Sequence, residues 1–274
     1  MTGGTIGLAP TAAMTMVILS CVSPAIARAG DADTWQYQGT IYVYAPSISA
    51  ESRFPESGGG SSASIDGEDI LNALEFAFMG AFEARRGDWG VLTDLIYLNL
   101  GTSASGSRAI AIGGTDLPAG AAADIHYDLE GWAWTLTGNY RLSSGARTLD
   151  LLAGARLLDI ESGLKWNVTG DVSSVPVIDR EGAHTSRLRN VDAIVGLKGR
   201  IGFGQSEQWF VPYHLDLGTG ESDFTWQAMA GFGYTFDWGD FLVALRYIDY
   251  DMQSGSTIKS LTFNGPTFGV VFRW

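Results

Sequence analysis

The sequence predicts an all-β fold: a single antiparallel up-and-down transmembrane β-barrel of about ten strands, following a cleaved N-terminal signal peptide. Three observations predict it. Segments with apolar side chains at every second position recur along the chain, and that period gives an extended strand one apolar and one polar face. The connectors between these segments alternate between long polar stretches and tight turns. Finally, in Phe268-Gly-Val270-Val-Phe272-Arg-Trp274 the residues Phe268, Val270, Phe272 and Trp274 share one face, with Gly269, Val271 and Arg273 on the other.

Composition agrees with this reading. The 274 residues include 36 glycines and 12% aromatics, yet mean hydropathy is only +0.08. After residue 30 no stretch approaches the roughly eighteen uninterrupted apolar residues of a spanning helix. A barrel reconciles the two, because polar lumen residues average against apolar outer ones. The net charge of −13 argues against a nucleic-acid partner.

Residues 14–29 form a short apolar core ending in the small-x-small site Ala27-Arg28-Ala29, which predicts export and cleavage before Gly30. Domains are thus 1–29, signal peptide, and 30–274, barrel. The segment has no Lys or Arg before Arg28, and Met14 and Met16 are alternative starts. The single cysteine, Cys21, lies inside the segment, so the mature chain has no disulfide. A lipoprotein reading of Ile18-Leu19-Ser20-Cys21 is disfavoured by the bulk of Leu19. Cleavage removes Arg28 and leaves a mature net charge of −14.

The segments follow in order. In the first, Trp35, Tyr37, Ile41 and Val43 face outward and Gln36, Gln38, Thr40 and Tyr42 inward. The second, about 76–85, sets Phe78 and Phe82 against Glu83 and Arg85. The third, 89–100, is apolar on both faces; Asp94 assigns it, since a carboxylate belongs in the lumen, leaving Val91, Leu95 and Tyr97 outside. The fourth, about 125–142, opposes Trp132, Trp134, Leu136 and Tyr140 to Thr135, Thr137, Asn139 and Arg141. The fifth opposes Leu151, Ala153, Ala155 and Leu157 to Asp150 and Arg156.

In the sixth, Val191, Ala193, Val195, Leu197 and Ile201 alternate with Asp192, Gly196, Lys198 and Arg200. The seventh places Trp209, Val211, Tyr213, Leu215 and Leu217 opposite Phe210, His214 and Asp216. The eighth places Trp226, Ala228, Ala230, Phe232, Tyr234 and Phe236 opposite Thr225, Gln227, Gly231, Gly233 and Thr235. The ninth sets Val243, Leu245 and Tyr247 against Arg246, and the tenth is the terminal segment. Inward glycines suit a narrow barrel.

Connectors 46–69, 101–123, about 167–187 and 251–257 are long and polar, and are expected outside as loops. Arg86-Gly87-Asp88, Ser143–Ala146, Gly204–Glu207 and Asp237–Asp240 are tight, as periplasmic turns are. An even strand number leaves both ends of the barrel on the periplasmic side. Pro212 interrupts the seventh segment and predicts a bulge, because it removes a ladder donor. Residues 66–75 read as a capped helical turn.

Several stretches carry a family resemblance: Phe76-Ala-Phe-Met-Gly-Ala-Phe-Glu-Ala-Arg85, Trp89-Gly-Val-Leu-Thr-Asp94, Asp216-Leu-Gly-Thr-Gly-Glu-Ser-Asp-Phe-Thr-Trp-Gln-Ala228, Gly231-Phe-Gly-Tyr-Thr-Phe-Asp-Trp-Gly-Asp240, Arg246-Tyr-Ile-Asp-Tyr250 and Gly265-Pro266. With them, residues 35–274 resemble a family of uncharacterised proteobacterial outer-membrane β-barrel proteins, and more distantly the small OmpA-type and opacity-type barrels. The terminal segment resembles the insertion signal (Phe268, Val270, Phe272, Trp274) read by the outer-membrane assembly machinery. The resemblance implies location in the outer membrane of a Gram-negative bacterium, a barrel fold and no transferable catalytic role.

The expected site is a lumen charge network of Glu83, Arg85, Asp94, Arg141, Asp150, Arg156, Asp192, Lys198, Arg200, His214, Asp216, Arg246 and Arg273. In so narrow a barrel, paired charges of both signs read first as a hydrogen-bonded plug. A narrow channel for small solutes or ions is the alternative. A second alternative is an outer-rim hydrolase on lipid A or peptides, with His214 and Asp216 as base and orienting carboxylate near the rim. Asp216, Glu221 and Asp223 offer a possible divalent-cation bridge to lipopolysaccharide, whereas Gly218-x-Gly220 reads as a hairpin tip. The expected role is therefore structural or interactive, without catalytic residues, cofactor or metal. Expected partners are outer-membrane lipid, lipopolysaccharide and the assembly machinery, around a monomer.

Overall fold

The computed structural model describes residues 34–52, 62–106, 121–170, 180–204, 206–256 and 258–274. The predicted signal segment, Cys21 included, lies outside them. The elements are β1 (Trp35–Tyr44), β2 (Ser47–Ser52), β3 (Ser62–Ile65), α1 (Gly67–Ala73), β4 (Leu74–Arg86), β5 (Trp89–Gly106), β6 (Ala121–Ser143), β7 (Arg147–Gly170), β8 (Arg180–Phe203), β9 (Trp209–Gly220), β10 (Ser222–Phe236), β11 (Gly239–Met252) and β12 (Ile258–Arg273). All pairings are antiparallel, and β1 with β4 to β12 form a closed cylinder of ten strands sealed by β1 against β12. Closure leaves no raw edge where the sheet faces hydrocarbon.

The seam pairs Gln38 with Arg273 through to Tyr44 with Thr267, and Trp274 and Tyr37 exchange backbone hydrogen bonds of 2.9 and 3.1 Å. The side chains of Ile41, Val91, Leu136, Leu151, Val195, Leu215, Phe232, Leu245 and Phe268 form an exposed apolar belt. Aromatic rings border it on both sides. On the turn side lie Trp35, Tyr37, Phe82 and Trp274, and the run Trp209, Tyr234, Phe236, Trp238 and Phe272. On the other side lie Phe76, Tyr97 and Trp132, and the stacked pair Trp226 and Tyr247. Two such girdles are what a belt spanning a bilayer requires.

Three expectations change. Among the described residues the strands reach well into the long outer connectors: β5 to β8 pair continuously far beyond the belt, to Gly106 opposite Ala123 and Val168 opposite Arg180. Above the belt the apolar face switches sides. In β7, Leu157 points out, whereas Leu158 and Ile160 point in and Asp159 and Glu161 point out; β11 repeats this with Ile248, Tyr250 and Met252 inside. A strand that leaves hydrocarbon for water must put charge outside, so the alternation inverts and its sequence signal fades. The polar stretch after β1 likewise contains the β2–β3 hairpin, which continues the wall beside β12.

Pro212 does not produce a bulge. Its strand keeps a constant register against β10, and the ladder merely omits Val211 and Pro212 between the pairs Tyr213–Ala230 and Phe210–Gly233. The missing donor is accommodated by local unpairing rather than by an extra residue. The expected helical turn is present as α1, which buries Ile70, although Asp66 makes no side-chain cap.

Candidate functional site in the barrel lumen

Strand alternation points all thirteen predicted charged and histidine side chains into the lumen, where they gather in four groups. At the turn end Asp240, almost wholly buried, receives Arg273 Nη1 at 2.9 Å and Arg200 Nη1 at 3.3 Å, and Arg273 Nη2 closes a second bond. Arg200 also lies 4.1 Å above the Phe210 ring, a cation–π arrangement. Phe210 fits because residue 233 is glycine: a Cβ there would meet the ring at 2.2 Å.

The second group lies on β4, β6, β7 and β8. Arg85 Nη2 donates to Glu83 and Asp150 at 2.6 Å each. Arg141 grips the same Asp150 with Nε at 2.5 Å and Nη2 at 2.9 Å, and Lys198 Nζ donates to Glu83 at 2.5 Å. A bidentate guanidinium–carboxylate pair of this kind is the strong form of ion pair.

The third group crosses the lumen. Arg246 on β11 donates to Asp94 on β5 at 2.8 Å, to Gln227 at 3.0 Å and to the Tyr42 hydroxyl at 3.1 Å. Tyr42 in turn donates to Asp94 at 2.5 Å. Gln227 also accepts from Arg156 at 3.3 Å, and Arg156 donates to Asp216 at 2.6 Å. His214 Nε2 lies 2.7 Å from the same Asp216 oxygen. The Tyr44 hydroxyl donates to the Arg246 carbonyl at 3.3 Å from the outer side. Two arginines thus oppose two aspartates in a layer spanning the barrel. Charges this deeply buried persist only when paired, since desolvation costs each several kcal/mol, about 3–5 when a partner is removed.

The fourth group is local. Asp192 accepts from the Ser222 backbone at 2.8 Å and hydroxyl at 2.9 Å, and from Asn190 at 2.6 Å, tying the short β9–β10 hairpin to β8. Sequence reasoning missed Asp240, assigned to a turn, although it lies on the same strand face as Arg246. It also missed Asn190, Ser222 and Tyr44 as network members. Gln227 and Tyr42 were placed inward but not counted in the charge network, because a neutral side chain carries no charge signal.

His214 and Asp216 do not reach an outer rim. They sit at mid-lumen, where Arg156 holds the carboxylate, and His214 pairs in register with Lys198 and Met229. A divalent-cation bridge by Asp216, Glu221 and Asp223 is also excluded as drawn. Asp216 is buried in its ion pair, and Glu221 accepts from the Val191 backbone at 2.7 Å. Among the described residues no group of three or more His, Cys, Asp or Glu is placed to hold a metal. The expected terminal-face residues Phe268, Phe272 and Trp274 are exposed on the belt and its turn-side girdle, with Val270 half-buried.

The crossing layer separates two cavities. On the turn side an opening of about 890 Å³ is lined by charged and polar groups, among them Glu83, Asp94, Arg141, Lys198, Asp240 and Arg273. On the far side a chamber of about 240 Å³ is lined chiefly by aliphatic and aromatic side chains. Tyr42 and Arg246 border the first; Tyr44 and Tyr250 border the second.

No family model and no curated protein matches the chain. Among solved structures it is similar to the outer membrane protease OmpT from Escherichia coli, at 9% identity, over 89% of this chain and 97% of that one, with a TM-score of 0.51. It is also similar to the attachment invasion locus protein Ail of Yersinia pestis, at 11% identity, 88% and 99% coverage and a TM-score of 0.33. The translocator domain of autotransporter NalP from Neisseria meningitidis matches at 12% identity, 88% coverage of each chain and a TM-score of 0.28. These neighbours are outer-membrane β-barrels. The first shares the fold, and identity at this level carries no activity across.

Proposed function

We infer that this chain is an integral outer-membrane β-barrel whose role is structural or interactive, with a lumen closed to ions at mid-height. The observation that carries the reading is the bond from Arg246 to Asp94, which joins strands on opposite walls with Tyr42 and Gln227 filling the space between. The exposed belt, its two girdles and the barrel fold support an outer-membrane location, with lipid and lipopolysaccharide as surroundings. The resemblance of residues 35–274 to the uncharacterised proteobacterial barrels supports it too. The assembly machinery reads the Phe268–Trp274 strand, and the product is a monomer. Catalysis is not part of this reading, because the paired His214 and Asp216 are engaged with Arg156 at mid-lumen rather than at a substrate-facing rim.

Planar-bilayer recording tests it. The purified barrel should show no unitary conductance in 1 M salt, where the Debye length is about 3 Å, and Tyr42→Ala/Arg246→Ala should open steps. Steady conductance by the unaltered protein would replace this reading with the narrow channel.

A further inference from the structure

We propose that the outer edge of β8 is a strand-addition site for an extended segment of another polypeptide, one whose side chains alternate between acidic and apolar. The proposal rests on the interactive reading of the barrel and gives it a class of partner. β8 pairs with β7 along its whole outer half, to Arg180 opposite Val168, whereas its pairing with β9 stops where Asp192 meets Gly220. Among the described residues no strand pairs with residues 180–190 on the β9 side. The ladder on that side thus lapses above the belt and leaves a strand edge in water.

The last bonds of the ladder fix which backbone groups point there. Val191 accepts from the Glu221 backbone at 3.1 Å and donates to the Glu221 carboxylate at 2.7 Å, so its N–H and C=O both face the β9 side. Successive residues of a strand turn these groups to opposite sides. Arg189, Arg187, Thr185 and Ala183 consequently present theirs at the open edge, with no register shift against β7 to break the sequence. Donor–acceptor pairs repeating at roughly 7 Å are matched along their length by another extended backbone. Strand addition draws its affinity from such main-chain bonds. A small molecule or lipid headgroup meets one such pair only.

The side chains define what the added strand carries. Arg187 and Arg189 are exposed on the outward face, and Leu188 between them turns inward to the aliphatic wall that it forms with Leu158 and Ile160. Across from the two arginines on β7 stand Glu161 and Asp159, an acidic column beside a basic one. Arg187 holds Asp159 with bonds of 2.9 and 2.7 Å, so the carboxylate in register with Arg189 is already engaged. A further strand meets these arginines best with carboxylates directly opposite, and Leu188 with an apolar side chain. The same charges turn away basic or wholly apolar strands, the device by which exposed edges avoid indiscriminate pairing. A second copy of this chain does not fit. Barrel strands tilt by about 35–45°, so two such edges related by an axis along the membrane normal cross at roughly twice that angle. Neighbouring strands of a ladder differ by only about 20–25°.

A fluorescein-labelled peptide alternating glutamate with valine, titrated against the refolded barrel in nanodiscs, tests the assignment. Anisotropy should rise to saturation, several-fold more weakly when lysine replaces glutamate. It should not rise for the glutamate peptide N-methylated at every residue, which keeps the side chains and loses the backbone donors. Amides of residues 183, 185, 187 and 189 should exchange rapidly in the unaltered barrel and slowly once the glutamate peptide is bound. Arg187→Glu/Arg189→Glu should reverse the preference between the glutamate and lysine peptides. Slow exchange of these amides without peptide overturns the proposal, because the chain itself would then cover the edge. Equal binding of the N-methylated or lysine peptide overturns it too, as does anisotropy identical to that with empty nanodiscs. Exchange is read on the unaltered protein, so the outcome stands whether or not the double variant folds. None of these results bears on conductance, and failure here leaves the closed-lumen reading intact.

Discussion

Arg246 shows how much one side chain holds in this lumen. Its guanidinium satisfies Asp94, Tyr42 and Gln227 and lies 5.6 Å from the Tyr44 ring centroid. Arg246→Met strands Asp94 with Tyr42 alone, and the expected loss is about 3–5 kcal/mol of unfolding free energy. Urea unfolding and refolding in detergent measures it. Adding Asp94→Asn to the same chain should recover a good part, because the cost lies in the uncompensated carboxylate more than in the lost attraction. An equal loss in the double variant would mean that Arg246 acts through packing instead. Legibility in sequence stops at this scale for a definable reason. Alternation places a residue on a face, so the inward set was readable, but it does not say which inward group meets which. The partners lie on strands as far apart as β5 and β11, and their relative height depends on barrel stagger.

At the scale of elements, β12 and β7 teach different lessons. The terminal half of β12 keeps one apolar face throughout, and its position was legible because hydrocarbon outside and the lumen inside impose opposite demands on neighbouring residues. It also seals the barrel, so Phe272→Ala/Trp274→Ala should lower the yield of closed barrel several-fold in vivo, while a variant refolded from denaturant still closes. Heat-modifiable migration on gels measures both, and equal yields in vivo would remove this strand from the recognition step. β7 keeps its backbone pairing while its apolar side changes at Leu157–Leu158. Read as a single amphipathic run it ends there; the outer half, with Asp159 and Glu161 outside, resembles a polar loop until the inward Leu158 and Ile160 are counted with them. The β2–β3 hairpin was hidden in the same way.

The whole molecule is one closed barrel whose longer strands carry on past the apolar belt into an open, water-facing extension. That division makes a test on a single strand possible. Leu245→Arg, at a belt position 70% exposed, should cost about 2–4 kcal/mol in bilayer-supported unfolding. Asp251→Lys, six positions nearer the outside and also outward-facing, should change stability by about 0.5 kcal/mol or less. Comparable costs at both positions would erase the boundary placed between them.

The wall is not level. β6, β7 and β8 run to 23 or 24 residues, while β9 and β10 turn back at Glu221 after 12 and 15. The upper part of β8, from Arg180 to Val191, therefore rises past its neighbour with one side of its backbone unmatched by β9, and Arg187 and Arg189 stand on its water-facing surface. Whatever approaches from outside meets a tall screen on one flank and a low sill on the other. The molecule consequently has a front and a back, and neighbours in a crowded leaflet would feel its rotation about the membrane normal.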